Sequence, residues 1–319
     1  MTQQKIATIF GATGFIGRYI TQDLAKQGYI IRAASRTPNK AFFLKPYGNV
    51  GQVVPFPCDG SKKDIEKAVN GASLVVNCVG ILFEKKKDQF KKIHTDLIND
   101  IAKASAKCGV NRLIHISALG CDTATSKYAA SKLAGEKKLL KAFPEAVILR
   151  PSVVFGREDN FFNMFARMGR ILPALPLIGG GHTKFQPVYV ADIADAALKI
   201  SESTPDAFKK FQGKTFELGG PDVVTFKDIY AKLKQHAGIN FIELPLPWCV
   251  AKIEAAILGL LPKPLLTTDQ VESLKTDNVV AAKGVKTFST LGIQATSMDA
   301  VLPSYLKQYS YKKNKVDAA

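Results

Sequence analysis

Residues 6–17 read IATIFGATGFIG. The apolar run Ile6–Phe10 has the length and composition of a buried strand. Glycines follow at Gly11, Gly14 and Gly17, and the periodic stretch Phe15–Gln27 predicts a helix. A strand that turns through such glycines into a helix meets three steric demands at once. The chain must turn tightly, its backbone must approach a ligand closely, and the helix must pack on the strand. The helix start then presents unpaired N–H groups and a partial positive charge, which suit phosphate. A glycine triplet alone carries little information, but after the first strand of an alternating chain it is specific. The loop Gly11–Gly17 is therefore read as the seat of a nicotinamide dinucleotide.

The alternation continues outward from that loop. Apolar runs predict strands at Tyr29–Ala34, Gln52–Pro57, Leu74–Val79, Leu113–Ser117 and Ala146–Arg150. Periodic stretches predict helices at Ser61–Asn70, Gln89–Cys108 and Lys127–Ala142. Strands alternating with helices imply an α/β fold, a Rossmann doubly wound parallel sheet. After Pro151 the pattern loosens. Helices are expected at Phe161–Arg170, Val190–Ser201 and Thr225–Ala237, the last with Thr225 as N-cap and Asp228 in its first turn. Pro173–Gly181 reads as a loop, Thr215–Leu218 as a short strand, and the chain from Ile239 onward as a small C-terminal lobe. The expected division is a dinucleotide-binding domain over 1–150, remaining sheet elements with a substrate-side or partner-facing lobe over 151–310, and a basic tail over 311–319.

Composition narrows the partners. The net charge of +17, from 44 basic and 27 acidic residues, reads first as a solvated lysine-rich surface and second as a face for an acidic partner, whether a nucleotide, an anionic membrane surface or an acidic protein face. The basic residues are mostly lysine, which lacks the fork that reads bases, and no nucleic-acid motif is present, so nucleic acid is not expected. Five cysteines, at 58, 78, 108, 121 and 249, are odd in number and lack CxxC spacing, which argues against a disulfide framework and a zinc site. Met1–Lys5 runs straight into a strand, leaving no room for a targeting peptide. No apolar run reaches the roughly 18 residues of a membrane span. A reduced, cytoplasmic setting is the expectation.

The end of the second strand discriminates between cofactors. A fold that selects NAD usually places a carboxylate there for the ribose 2′-hydroxyl. Here Ser35 and Arg36 stand instead, a hydroxyl and a cation that suit a 2′-phosphate, so NADP(H) is favoured over NAD(H). Asp59, after the third strand, is placed to accept from an adenine amino group, and Val79-Gly80, after the fourth, to lay backbone along the cofactor. Either stretch also reads as a plain turn. Ser117 ends the fifth strand, and Tyr128 and Lys132 follow four apart on one helix face. A lysine cation favours phenolate and lowers a tyrosine's pKa, giving an acid/base group near neutral pH. Ser117, Tyr128 and Lys132 are the candidate catalytic set, with Ser117 orienting substrate and Lys132 also holding the nicotinamide ribose.

GATGFIG at 11–17, Ser117 and YxxxK at 128–132 resemble the short-chain dehydrogenase/reductase superfamily in its extended and atypical branches. FGRED at 155–159 and QPVYV at 186–190 are similar to the nucleotide-binding accessory subunits of respiratory complex I and their bacterial relatives. That resemblance implies a tightly held, structural NADPH and a peripheral position on the membrane complex, at the cytoplasmic face of the inner membrane, beside complex I core subunits. It also implies that Gly11, Thr13, Gly14, Phe15, Ile16 and Arg36 line the pyrophosphate and adenosine half, and that Ser117, Tyr128, Lys132 and Pro151 lie at the nicotinamide end. The retained Ser117/Tyr128/Lys132 set keeps a second reading open: a free NADP-dependent reductase or an NAD-dependent epimerase/dehydratase-type enzyme.

Other residues carry weaker signals. His94, His115, His182 and His236 form no ligand cluster in sequence. His115 reads as a core residue, and His94 as a minor candidate for the site. Glu158-Asp159 reads as a capping or salt-bridging pair. The basic run Glu84–Lys87 with Lys91-Lys92 reads as a solvated face, and Trp248–Leu261 as a core or partner-facing helix.

Overall fold

A computed structural model describes residues 5–261 and 264–311. Of the basic tail expected over 311–319, all but Tyr311 lies outside the described residues. The chain begins with β1 (Ile6–Phe10), α1 (Phe15–Lys26), β2 (Ile30–Ser35), β3 (Val53–Pro57), α2 (Lys62–Val69) and β4 (Leu74–Asn77). Next come α3 (Leu97–Lys107), β5 (Arg112–Ile116), α4 (Lys127–Ala142), β6 (Val147–Pro151), β7 (Val154–Phe155), α5 (Phe162–Ile171), β8 (Ala174–Ile178), β9 (Lys184–Phe185) and β10 (Val188–Tyr189). The remainder is α6 (Val190–Ser201), α7 (Pro205–Lys209), β11 (Thr215–Leu218), β12 (Val224–Thr225), α8 (Phe226–Ala237), β13 (Ile242–Leu246), α9 (Trp248–Leu258), α10 (Thr268–Ser273) and α11 (Met298–Leu306).

These elements form two compact units. The first comprises the described part of Met1–Pro151 with Val190–Leu218 and Ala281–Gln294. Among its described residues seven strands make one parallel sheet in the order β3-β2-β1-β4-β5-β6-β11. The order reverses between β1 and β4, and ligands of such sheets bind at the carboxyl ends of the strands at that switch. The glycine loop follows β1 there. β4 and β6 are buried along their whole length, as a sheet covered on both faces requires. Thr8 is a polar exception in β1, and its buried hydroxyl donates to the Ala68 carbonyl at 2.6 Å. α6 packs beside α1.

Three expectations about this chain's elements need correction. Val79 lies beyond its strand, because the Asn77 side chain accepts the Val79 N–H at 3.2 Å and turns the chain after Asn77. The stretch Gln89–Cys108 is not one α-helix. Lys91–Asp96 forms a wider π-helical turn before α3, packed where α4 comes so close that a Cβ on Gly135 would lie 2.0 Å from the His94 carbonyl oxygen. Pro173–Gly181 is not all loop either, since β8 pairs in parallel with β13. Both are edge strands of a two-stranded sheet, where proline is tolerated, so Pro176 and Pro245 did not break them.

The second unit comprises Ser152–Tyr189, Gly219–Val280 and the described part of Ala295–Ala319. Its core gathers Phe155, Phe162, Phe226 and Tyr230 with Leu302 and Leu306 of α11. Asp159 is buried inside it and acts as a cap. Its carboxylate accepts the N–H groups of Gly156 and Asn163 and the Tyr305 hydroxyl, the last at 2.6 Å. α8 begins with the expected Thr225 cap, completed to a capping box by Asp228. α9 buries only Ala251 and Ala255, while Val250, Ile253 and Ile257 are exposed.

Candidate functional site

The glycine loop has the geometry that its sequence requires. Gly11 has φ +80°, and a Cβ there would press on the Cys78 carbonyl carbon at 3.0 Å. A Cβ on Gly17 would meet the Gly11 carbonyl oxygen at 2.2 Å, so the first turn of α1 packs directly on the loop. Gly14 is the N-cap of α1 and supplies no side-chain cap, and no acid stands in the first turn. The first N–H groups of a helix have no intrahelical acceptor, and here the dipole's positive end is left uncompensated. Such a helix start suits phosphate; Thr13 lies in the loop, and Phe15 and Ile16 open α1.

The flanking residues differ in readiness. Arg36 is exposed and makes no hydrogen bond or ion pair among the described residues. The Ser35 hydroxyl is already engaged: it accepts the Thr37 N–H and donates to the Thr37 carbonyl, both at 3.1 Å. It shapes the turn that presents Arg36. Asp59 is exposed, and one carboxylate oxygen accepts the Ser61 N–H at 2.7 Å. That bond lowers its pKa, which keeps the group an acceptor. Gly80 lies close to two polar groups, since a Cβ there would stand 3.4 Å from the Lys132 ammonium and 3.8 Å from His94 Nε2.

Ser117 lies one residue beyond β5 rather than at its end, and with Lys132 of α4 and Pro151 of β6 it reaches the same end of the sheet. Ser117 is 4% exposed, and its hydroxyl finds no hydrogen-bond partner among the described residues. Buried hydroxyls are normally paired, so an unpaired one here fits a site built to receive a polar ligand atom. Pro151 is buried, and its carbonyl accepts the Leu119 N–H at 2.9 Å. Lys132 is 4% exposed and donates to the Ile116 carbonyl at 3.2 Å. Burial lowers its pKa to about 8. Tyr128 behaves differently from the sequence expectation. Burial, with Cys121 second, pushes its phenol above the ordinary tyrosine range, and the lysine charge does not reverse this.

Two features were not legible beforehand. The Asn77 amide contacts His115 Nδ1 at 3.0 Å, fixing the end of β4 against β5. Arg150, read only as the end of a strand, is the centre of a buried ion cluster. It forms a two-pronged bond to Glu136, at 3.0 and 2.7 Å, contacts Asp122, and lies 3.7 Å from Glu217. Glu136 is four residues beyond Lys132 on the same face of α4. That spacing is a signal that sequence reasoning could have used.

The NAD dependent epimerase/dehydratase family matches residues 7–219. An Arabidopsis thaliana protein, NADH dehydrogenase [ubiquinone] 1 alpha subcomplex subunit 9, mitochondrial, is 36% identical, over 95% of this chain and 78% of its own. The NADH-ubiquinone oxidoreductase 40 kDa subunit, mitochondrial, of Neurospora crassa is 31% identical, over 95% of this chain and 79% of its own. Among solved structures, an NADPH-dependent quinone oxidoreductase of Escherichia coli complexed with NADPH has the same fold, with a TM-score of 0.70 at 21% identity, over 95% of this chain and 99% of its own.

Proposed function

The chain belongs to the NAD dependent epimerase/dehydratase family, and from that premise we propose that it is an NADP(H)-holding accessory subunit of respiratory complex I. The observation that carries this reading is the likeness to named subunits of that complex along nearly the whole chain. The site supports a structural cofactor. An acid/base tyrosine should have a pKa near the working pH, whereas burial has moved Tyr128 away from it. Gly11–Gly17 would cradle the pyrophosphate, Arg36 the 2′-phosphate, Asp59 the adenine amino group, Val79-Gly80 the cofactor's length, and Lys132 the nicotinamide ribose. The net charge of +17 suits a peripheral place at the anionic cytoplasmic face of the inner membrane.

Nucleotide released from the denatured protein tests the cofactor reading. Chromatography should find NADPH that did not exchange with added nucleotide, and NAD+ in its place would overturn the argument from Arg36. Arg36→Ser should weaken NADPH binding by roughly 10-fold or more and leave NADH binding little changed, as expected for loss of one charge-assisted phosphate contact.

The second reading is a free reductase or epimerase/dehydratase-type enzyme. It is favoured by the Ser117 hydroxyl, unpaired among the described residues, in a chain that retains Tyr128 and Lys132. Tyr128→Phe separates the two. Under the structural reading the variant keeps its NADPH and its place in the complex. Loss of function with fold, nucleotide and assembly intact would establish the enzyme reading instead.

A further inference from the structure

We propose that His94 is a positioning residue for the dinucleotide site, holding the Gly80-Ile81 peptide and the Tyr128–Lys132 turn of α4 in one frame so that the Lys132 ammonium is kept beside Gly80. This rests on the dinucleotide reading above. The imidazole is 1% exposed, and both its nitrogens are committed. Nε2 lies 3.0 Å from the Ile81 nitrogen and accepts its N–H. An accepting Nε2 leaves the proton on Nδ1, which then donates to the Ser131 hydroxyl at 2.8 Å. Ser131 passes its own proton to the Tyr128 carbonyl at 2.7 Å. A continuous chain of hydrogen bonds thus runs from the strap after β4 to the helix that carries Tyr128 and Lys132.

The surroundings fix the ring from the other directions. Phe90 stacks on it at 5.3 Å, and Tyr128 meets it edge-on at 5.4 Å. Thr95, next in the π-helical turn, donates to the Ser131 carbonyl at 3.1 Å, tying that turn to α4 a second time. A protonated ring would set an N–H against the Ile81 N–H and place a second cation near Lys132. Burial first, and Lys132 second, hold the pKa down at about 3. The ring is therefore neutral across the physiological range and serves as a fixed brace. The outcome is local: Lys132 Nζ and His94 Nε2 are the nearest polar atoms to the place a Gly80 Cβ would take. A ribose hydroxyl received beside Gly80 would meet a lysine whose direction His94 has set.

NADPH fluorescence titrations of the full chain stripped of nucleotide test this, with thermal melts in parallel. His94→Phe keeps the stacking and removes both hydrogen bonds. It should weaken NADPH binding roughly 10-fold, as Lys132→Met should, and the double variant should lose no more than either alone, because His94 acts through Lys132. His94→Gln, whose amide can both accept and donate, should recover most of the affinity. Multiplying losses in the double variant, or wild-type affinity in His94→Phe, would overturn the assignment. If His94→Phe does not fold, Ser131→Ala serves: it cuts the link to α4 while leaving the ring, and unchanged affinity there counts against the proposal. A wild-type chain that takes no dinucleotide brings down the dinucleotide reading itself; a wild type that binds beside an indifferent His94 variant removes the His94 role alone.

Discussion

Arg150→Leu should destabilise the first unit by about 3–5 kcal/mol, the cost of breaking a buried ion pair by removing one partner. The guanidinium bonds Glu136 with two prongs and also contacts Asp122. Burial works against its charge, but Glu136 outweighs burial and holds the pKa above the ordinary arginine value. Without it, Glu136 at 4% exposure and Glu217 at 7% would face each other's charge with no cation between them. Glu217 also accepts the Ala281 N–H at 3.0 Å, so the disturbance reaches the segment that lines edge strand β11. Natural domains are stable by about 5–15 kcal/mol in total, and a loss of this size lowers the urea midpoint sharply. Arg150→Lys keeps the charge and gives up the fork, so it should fall between the two. An unfolding free energy within about 1 kcal/mol of wild type for Arg150→Leu, the range of an exposed pair, would show that the cluster contributes little.

Gly17→Ala should abolish nucleotide retention. The added Cβ would lie 2.2 Å from the Gly11 carbonyl oxygen and 2.9 Å from the Ala12 Cα. Both are backbone atoms, so no rotamer change relieves the contact; α1 must move off the loop, and the phosphate cradle moves with it. We expect at least about 100-fold weaker NADPH binding, equivalent to about 2.7 kcal/mol, with a stability loss of about 1–3 kcal/mol from overpacking. Gly28→Ala is the matched control. Gly28 has φ +81° but nothing within 4 Å of its Cβ position. It should cost about 1 kcal/mol of backbone strain and leave the nucleotide in place. Equal retention by Gly17→Ala and wild type would mean that close helix packing at this loop is not what shapes the site.

Much of the first unit could be read directly because its signals are local. The bounds of β1, α4, α6 and β11 follow from apolar period and length, and the glycines of the loop follow from steric demands within seven residues of chain. The cap of α8 is local in the same way, with Thr225 and Asp228 bonding each other at 2.7 Å. The misread elements depended on distant partners. β8 carries Pro173 and Pro176 in and beside it, and it becomes a strand only because Ile242–Leu246 supplies its neighbour. The helix over Gln89–Cys108 reads as continuous because nothing in its own residues marks the wider turn, which sits where α4 comes close at Gly135. The four-residue spacing of Tyr128 and Lys132 predicts a phenol with a lowered pKa, yet spacing says nothing about burial, and burial raises it.

By itself the sequence determined the alternation of strands and helices, the turn at Gly11–Gly17 and the presence of Ser117, Tyr128 and Lys132, because side-chain period and backbone sterics act over a few residues. Tertiary structure alone decided which of those groups are charged, paired or waiting. It engaged the Ser35 hydroxyl in a turn, left that of Ser117 unpaired among the described residues, gathered three carboxylates around Arg150 and tied the Ile81 backbone to α4 through His94 and Ser131. Desolvation and hydrogen bonding depend on what the fold brings from elsewhere in the chain, and no window of sequence contains that information.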